Sequence, residues 1–185
     1  MILYINGSPK RKNSNSQYYI DYLNENMDIL YLYNSFSTDL DKYETFVFSM
    51  PLYLDSPPSI VLKYFEFLEN NKVQNKNIYV ICNCGFLESN NNDTLIDIFK
   101  TFSRKTNNNY KGCLKLGAGE VSGKCDKIPL YKLINIPLCI SLKKFKKAIY
   151  HNKNISLNST IFPMTKKLYI YFANKSFSKK LNNIK

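Results

Sequence analysis

The sequence predicts an α/β fold: a doubly wound, five-stranded parallel sheet with helices on both faces. Short apolar runs alternate along the chain with longer segments in which apolar residues recur at helical spacing. Three of the short runs are almost continuously apolar, which is typical of strands buried on both faces of a parallel sheet. Since crossovers between parallel strands are right-handed, few topologies remain.

The predicted strands are short runs rich in β-branched and aromatic residues. They cover residues 2–6, 28–33, 45–49, 77–84 and 113–116. The predicted helices have apolar residues at helical spacing, and they cover residues 16–25, 59–71, 94–106, 141–151 and 166–180. We expect residues 1–185 to form one domain, with residues 152–185 as a helical extension packed on it.

Composition excludes several classes of protein. Of the 185 residues, 44% are hydrophobic, which argues against disorder, and no apolar run approaches the ~20 residues of a membrane span. The N-terminus lacks the features of a signal peptide, so we expect a cytoplasmic protein without a membrane partner.

The five cysteines are expected to be reduced, because disulfides are rare in the cytoplasm. A metal site is not expected, because Cys82 and Cys84 lack zinc spacing and the chain has a single histidine.

The net charge of +12 raises the alternative of a nucleic-acid-binding protein. The basic bias looks spread along the chain, apart from two clusters, at residues 143–147 and 175–185. Because no nucleic-acid-binding motif accompanies these clusters, we do not expect nucleic acid as a partner.

The loop after the first predicted strand, residues 7–16, has the features of a phosphate site. It runs from a Gly-Ser-Pro turn through three basic residues into the start of a helix, where backbone N–H groups and the helix dipole favour anions. Four side chains are candidate phosphate ligands: Ser8, Ser14, Asn15 and Ser16. Ser14 or Ser16 can also cap the helix.

Two further loops follow the third and fourth predicted strands, at the same edge of the sheet. The first contains Pro51, Leu52, Tyr53 and Leu54, which form either one wall of a pocket for a flat ring or an ordinary loop. The second contains Asn83, Cys84, Gly85 and Phe86, which offer polar groups and an aromatic face. Cys84 is either a reactive thiol or, more commonly for such positions, a small buried one.

A glycine-rich segment, Gly117-Ala-Gly119-Glu120, follows the fifth predicted strand. Its spacing does not match a dinucleotide-binding fingerprint. We interpret it as a loop that borders the same edge of the sheet.

The three loops together resemble the flavodoxin-like family of NAD(P)H-dependent FMN reductases, in a clostridial-type branch. The resemblance implies strand order 2-1-3-4-5 and non-covalent FMN. It places the FMN phosphate on Ser8, Ser14, Asn15 and Ser16, and the flavin ring between residues 51–54 and 83–86. Gly117, Gly119 and Glu120 would lie on the nicotinamide or acceptor side.

The resemblance also implies an activity and an assembly. NADH or NADPH would be the cosubstrate. The acceptor would be a quinone, a nitro or azo compound, or free flavin. The protein would be a homodimer. Three alternatives stay open: an electron-transfer flavodoxin without NAD(P)H activity, a basic nucleic-acid-binding protein, and a relative that no longer binds flavin.

Overall fold

The computed structural model describes residues 1–23, 28–36, 39–119 and 135–160, together with six helical residues between 167 and 178. The strands are β1 (Ile2–Asn6), β2 (Asp28–Tyr31), β3 (Thr45–Pro51), β4 (Asn77–Asn83), β5 (Asn109–Leu116) and β6 (Ile155–Ser159). The α-helices are α1 (Asn15–Leu23), α2 (Ser59–Asn70), α3 (Asp93–Lys105) and α4 (Ile136–Tyr150). Short 3₁₀ turns at Arg11–Asn13 and Ser89–Asn92 precede α1 and α3.

The strands form one parallel sheet in the order β2-β1-β3-β4-β5-β6. The predicted fold class is therefore confirmed, and the first five strands have the expected order. The prediction of five strands was one short, because β6 lies within the segment expected to be a helical extension. In β6, Ile155 and Leu157 pack against the core, while Ser156 and Asn158 are exposed.

Alternate residues of the central strands face opposite layers, as strand geometry requires. On one side, Phe46 and Phe48 of β3 pack against α2 and α3. On the other side, Val47 of β3 and Tyr79 of β4 pack against α1 and α4. The sheet is thus covered on both faces, which leaves its edges and loops open to a ligand.

Aromatic rings fix α2 and α3 to the sheet. Phe65 of α2 stacks on Phe102 of α3 with 3.9 Å between ring centroids, and meets Phe99 edge-on at 4.9 Å. Phe99 in turn meets Phe48 of β3 at 5.1 Å. Such pairs contribute beyond their buried area, so both helices are held firmly against β3.

The predicted C-terminal helix falls mostly outside the described residues. The six that are described are helical and exposed: Lys167, Ile170, Tyr171, Asn174, Lys175 and Ser178. None of the helices in the described part of the chain has the length and apolar character needed to cross a bilayer.

Candidate functional site

A cleft lies at the carboxyl ends of β1, β3 and β4. Strand order reverses here, because β1 has β2 on one side and β3 on the other. Open parallel α/β sheets bind ligands at such a switch point. The cleft has a volume of about 110 Å³, less than the roughly 300 Å³ of the smallest usual small-molecule pockets. It can therefore enclose only one end of a cofactor-sized ligand, whose remainder would lie against the open rim.

Nine of the twelve residues predicted to bind FMN line this cleft. They are Ser8, Ser14, Asn15, Ser16, Pro51, Leu52, Tyr53, Asn83 and Gly85. Lys10 also lines it, although only its loop and not this residue was singled out from the sequence. The remaining three predicted residues, Leu54, Cys84 and Phe86, are not among the lining residues.

Ser14 caps α1 at the floor of the cleft. Its Oγ accepts the N–H of Gln17 at 3.0 Å and donates to the carbonyl oxygen of Arg11 at 2.6 Å. Asn15 and Ser16 are the first two residues of α1, and no carbonyl oxygen of the helix accepts their N–H groups. Since both residues line the cleft, α1 presents its positive end to an anion there.

Buried polar side chains support this loop from below. Asn6, 1% exposed, accepts the N–H of Ser8 at 2.9 Å and donates to Gln17 Oε1 at 2.9 Å. Ser49, at the end of β3, donates its hydroxyl to the carbonyl oxygen of Ser16 at 2.9 Å. Sequence reasoning missed these supports. Their signal is a polar residue near the carboxyl end of an otherwise apolar strand.

The loop carries three cations. Lys10 lines the cleft. Arg11 donates a guanidinium hydrogen to the carbonyl oxygen of Tyr33 at 3.1 Å, and the Lys12 ammonium lies 5.8 Å from the ring centroid of Tyr31. None of the described residues that line the cleft is acidic. The cleft therefore favours a negatively charged ligand.

The second loop lines the cleft as far as Tyr53 and then turns back on itself. The backbone N–H and carbonyl groups of Tyr53 and Ser56 exchange two hydrogen bonds of 3.0 Å, which close a two-residue turn. At its tip, Leu54 and Asp55 have φ values of 47° and 58°. Leu54 is fully exposed and does not line the cleft, so its contact with the flavin ring stays a prediction.

The third loop buries its thiol. Cys84 is 2% exposed, and its Sγ lies 3.5–3.6 Å from the carbonyl oxygens of Phe86, Glu88 and Leu116. Burial raises the pKa of the Cys84 thiol, which makes it a poor nucleophile at neutral pH. Of the two sequence interpretations, the small buried thiol fits. The Phe86 side chain is 64% exposed and lies outside the cleft wall.

Asn83 faces the cleft because strand alternation turns it away from its neighbours in β4. The residue is 7% exposed, and its Oδ1 has no hydrogen-bond partner among the described residues. A buried acceptor without a donor carries an energetic cost, which a donor on a bound ligand would remove.

The glycines after β5 are required by close approach. Gly117 donates its N–H to the carbonyl oxygen of Ser159 at 2.9 Å, and a Cβ at this position would lie 1.9 Å from the backbone oxygen of Leu87. Any larger residue here would force the 84–88 loop away from β5. Gly117 thus fixes the third loop rather than lining the cleft.

Gly119 lies directly beside the cleft. Its carbonyl oxygen accepts the side-chain amide of Asn15, and a Cβ on Gly119 would lie 2.6 Å from Asn83 Nδ2. It therefore joins the first and third loops, in agreement with our expectation that this segment borders the same edge. Glu120 lies outside the described residues.

Solved structures with a similar fold include three redox proteins. The two-electron reduced flavodoxin of Megasphaera elsdenii is 12% identical, with a TM-score of 0.51 over 79% of this chain and 98% of that one. The chain has a flavodoxin-like fold. The FMN-dependent NADH-azoreductase of Bacillus anthracis in complex with FMN is 15% identical, with a TM-score of 0.52 over 83% of this chain and 99% of that one.

The third is the NAD(P)H:quinone oxidoreductase of Methanothermobacter marburgensis. It is 14% identical, with a TM-score of 0.51 over 80% of this chain and 94% of that one. No protein-family model matches the sequence, and no curated protein matches it either. At these identities the structural likeness establishes the fold, while the site must be argued from its own residues.

Proposed function

We propose that this protein is an FMN-dependent oxidoreductase that uses NADH or NADPH to reduce a small-molecule acceptor. The observation that carries the proposal is the capped N-terminus of α1, which opens with Lys10 into a cleft at the switch point. The fold adds support, because two structures that share it are named as an FMN-dependent azoreductase and a quinone oxidoreductase.

The residues present fit FMN at both of its ends. The N–H groups of Asn15 and Ser16, the Ser8 hydroxyl and the Lys10 ammonium would hold the phosphate. The buried Oδ1 of Asn83 lacks a donor, which a ring N–H of the flavin would supply. Leu52 and Tyr53, at the rim, offer apolar surface to the ring.

Bound FMN supplies two-electron transfer between NADH or NADPH and a quinone, a nitro or azo compound or free flavin. The protein's own part is to bind and orient, because the cleft holds no carboxylate or histidine among its described lining residues. We assign Gly119, together with Gly117 and Glu120, to the side at which the nicotinamide or the acceptor approaches.

An anaerobic reduction assay tests this proposal. The FMN-loaded protein should oxidise one equivalent of NADH or NADPH, and then turn over when a quinone or an azo dye is added. If dithionite reduces the bound FMN but neither nicotinamide does, the protein is an electron-transfer flavodoxin and the proposed activity is wrong.

The Lys10→Glu variant ties the activity to this cleft. A carboxylate beside the phosphate should weaken FMN binding by about tenfold or more, because charge-assisted contacts contribute roughly 1.5–3 kcal/mol each. Lys63→Glu, on the exposed surface of α2, makes the same charge change away from the cleft and should bind FMN as the wild type does. Equal losses in the two variants would contradict the assignment.

A further inference from the structure

The positive charge of the chain is concentrated in its last third. Residues 127–185 contain thirteen lysines and no acidic residue, whereas residues 1–126 contain thirteen basic and fourteen acidic residues. The expectation of a spread bias is therefore wrong. A segment this asymmetric points to a surface that meets an anionic partner.

Helix α4 presents three of its four lysines on one face. Its buried residues, among them Leu142 and Phe145, pack against the sheet. The exposed residues are Ile136, Ile140, Lys143, Lys144, Lys147 and Tyr150. At 3.6 residues per turn they fall within an arc of about 120°, and we call this set the basic face.

The basic face mixes cations with apolar groups. Ile136 is 43% exposed, Ile140 49% and Tyr150 42%, although each is large enough to gain from burial. The described residues between 167 and 178 have the same character, since Lys167 and Lys175 are exposed together with Ile170 and Tyr171.

We propose that the basic face docks on the surface of an anionic lipid bilayer. Such a surface satisfies both kinds of side chain, because lysines meet the lipid phosphates while isoleucine and tyrosine enter the headgroup region. The phosphates of nucleic acid would pair with the lysines, but Ile136 and Ile140 would stay exposed to water. Residues 127–185 also contain no arginine, the side chain that reads phosphate and guanine edges with two hydrogen bonds.

This docking differs from a membrane span and revises our expectation that the protein has no membrane partner. It does not depend on the proposed redox function. The basic face belongs to the layer of α1 and α4, whereas α2 and α3 cover the opposite face of the sheet.

Vesicle flotation with the full chain tests the proposal. At about 0.1 M salt, the wild type should float with phosphatidylcholine vesicles that contain roughly 30% phosphatidylserine. It should not float with pure phosphatidylcholine. The triple variant Lys143→Glu, Lys144→Glu, Lys147→Glu should lower the binding constant by about a hundredfold or more, since each lysine near an anionic bilayer contributes about fivefold.

A matched control carries the same charge change on the opposite layer. Lys63, Lys72 and Arg104 are exposed on or beside α2 and α3, and their joint replacement by glutamate should leave vesicle binding within about twofold of wild type. A loss as large as that of the basic-face variant would show a net-charge effect and overturn the proposal.

A neutral variant separates a bilayer from nucleic acid. Replacing Ile136 and Ile140 by serine keeps every charge, so it should weaken vesicle binding about tenfold while leaving retention of double-stranded DNA unchanged. Urea unfolding checks that each variant is folded. The proposal is overturned if the wild type does not bind phosphatidylserine vesicles, or if it binds DNA and not vesicles. It is also overturned if the serine variant floats as the wild type does.

Discussion

At the level of single residues, substitutions of Ser14 test the stability of the fold and the affinity for FMN separately. In Ser14→Ala the N–H of Gln17 loses its side-chain acceptor and keeps only the carbonyl oxygen of residue 14, at 3.1 Å, so the free energy of unfolding should fall by about 1 kcal/mol. Ser14→Asp keeps a capping oxygen and should retain stability, but it places a carboxylate where we assign the phosphate. FMN affinity should therefore fall while stability is retained.

Urea unfolding and an FMN titration measure the two effects in the same preparations. Thr101→Ala, exposed on α3, is the control and should change neither. An aspartate variant that binds FMN as tightly as the wild type would show that the phosphate does not lie at the start of α1.

The two glycines after β5 should respond differently to alanine. Gly117→Ala drives a Cβ into a backbone oxygen, which cannot move alone, so it should destabilise the fold by at least about 2 kcal/mol. Gly119→Ala meets the side chain of Asn83, which can rotate away. It should cost less than about 1 kcal/mol, yet lower FMN affinity because Asn83 is displaced. The same two measurements check both variants, and the reverse pattern would contradict these roles.

At the level of elements, the sequence was informative where apolar runs are long. Strands β1, β3 and β4 are almost wholly buried, and their apolar character reveals them. β6 was missed because this edge strand carries only two apolar residues, Ile155 and Leu157. So few apolar side chains do not separate a strand from a loop.

The direction of loop side chains was harder to predict than the loops themselves. Leu54 and Asp55 form a turn with positive φ, although the pair lacks the Asn-Gly or Asp-Gly sequence that usually signals one. Cys84 and Asn83 were predicted to share one site, yet Asn83, the last residue of β4, lines the cleft, while the Cys84 thiol is buried beside the carbonyl oxygen of Leu116. The parallel topology did predict which loops meet at the cleft, because the carboxyl ends of parallel strands lie at the same edge of the sheet.

Tyr79 connects β4 to the end of α4 and should make stability fall at high pH. Its hydroxyl donates to the carbonyl oxygen of Lys153 at 3.0 Å and lies 3.3 Å from that of Ala148. Burial raises the pKa of Tyr79 to about 12. The folded state thus holds the proton more tightly than the unfolded chain, whose tyrosine pKa is about 10. The stabilisation is complete below pH 10 and is lost as the pH rises toward 12.

Urea unfolding between pH 8 and about 11.5 measures this slope. Tyr79→Phe should lose about 1 kcal/mol at neutral pH and decline less steeply above pH 10. Burial also raises the pKa of Tyr64, so the informative quantity is the difference between variant and wild type. An identical slope in the two proteins would contradict the role of Tyr79.

At the level of the whole molecule, the cleft and the basic face are made of different residues and differ in chemistry. The cleft lies at the carboxyl edge of the sheet, between loops that follow β1, β3 and β4. The basic face lies on α4, in the third of the chain that carries the excess lysines. Because the two surfaces share no residue, substitutions on one should leave binding at the other unchanged.

The central claim is that the start of α1 binds the phosphate of FMN. Parallel calorimetric titrations of the wild type with FMN and with riboflavin, which lacks the phosphate, test it most directly. We predict that FMN binds at least about a hundredfold more tightly, since two charge-assisted contacts to the phosphate contribute roughly 1.5–3 kcal/mol each. Equal affinity for the two flavins, or no binding of FMN, would contradict the claim.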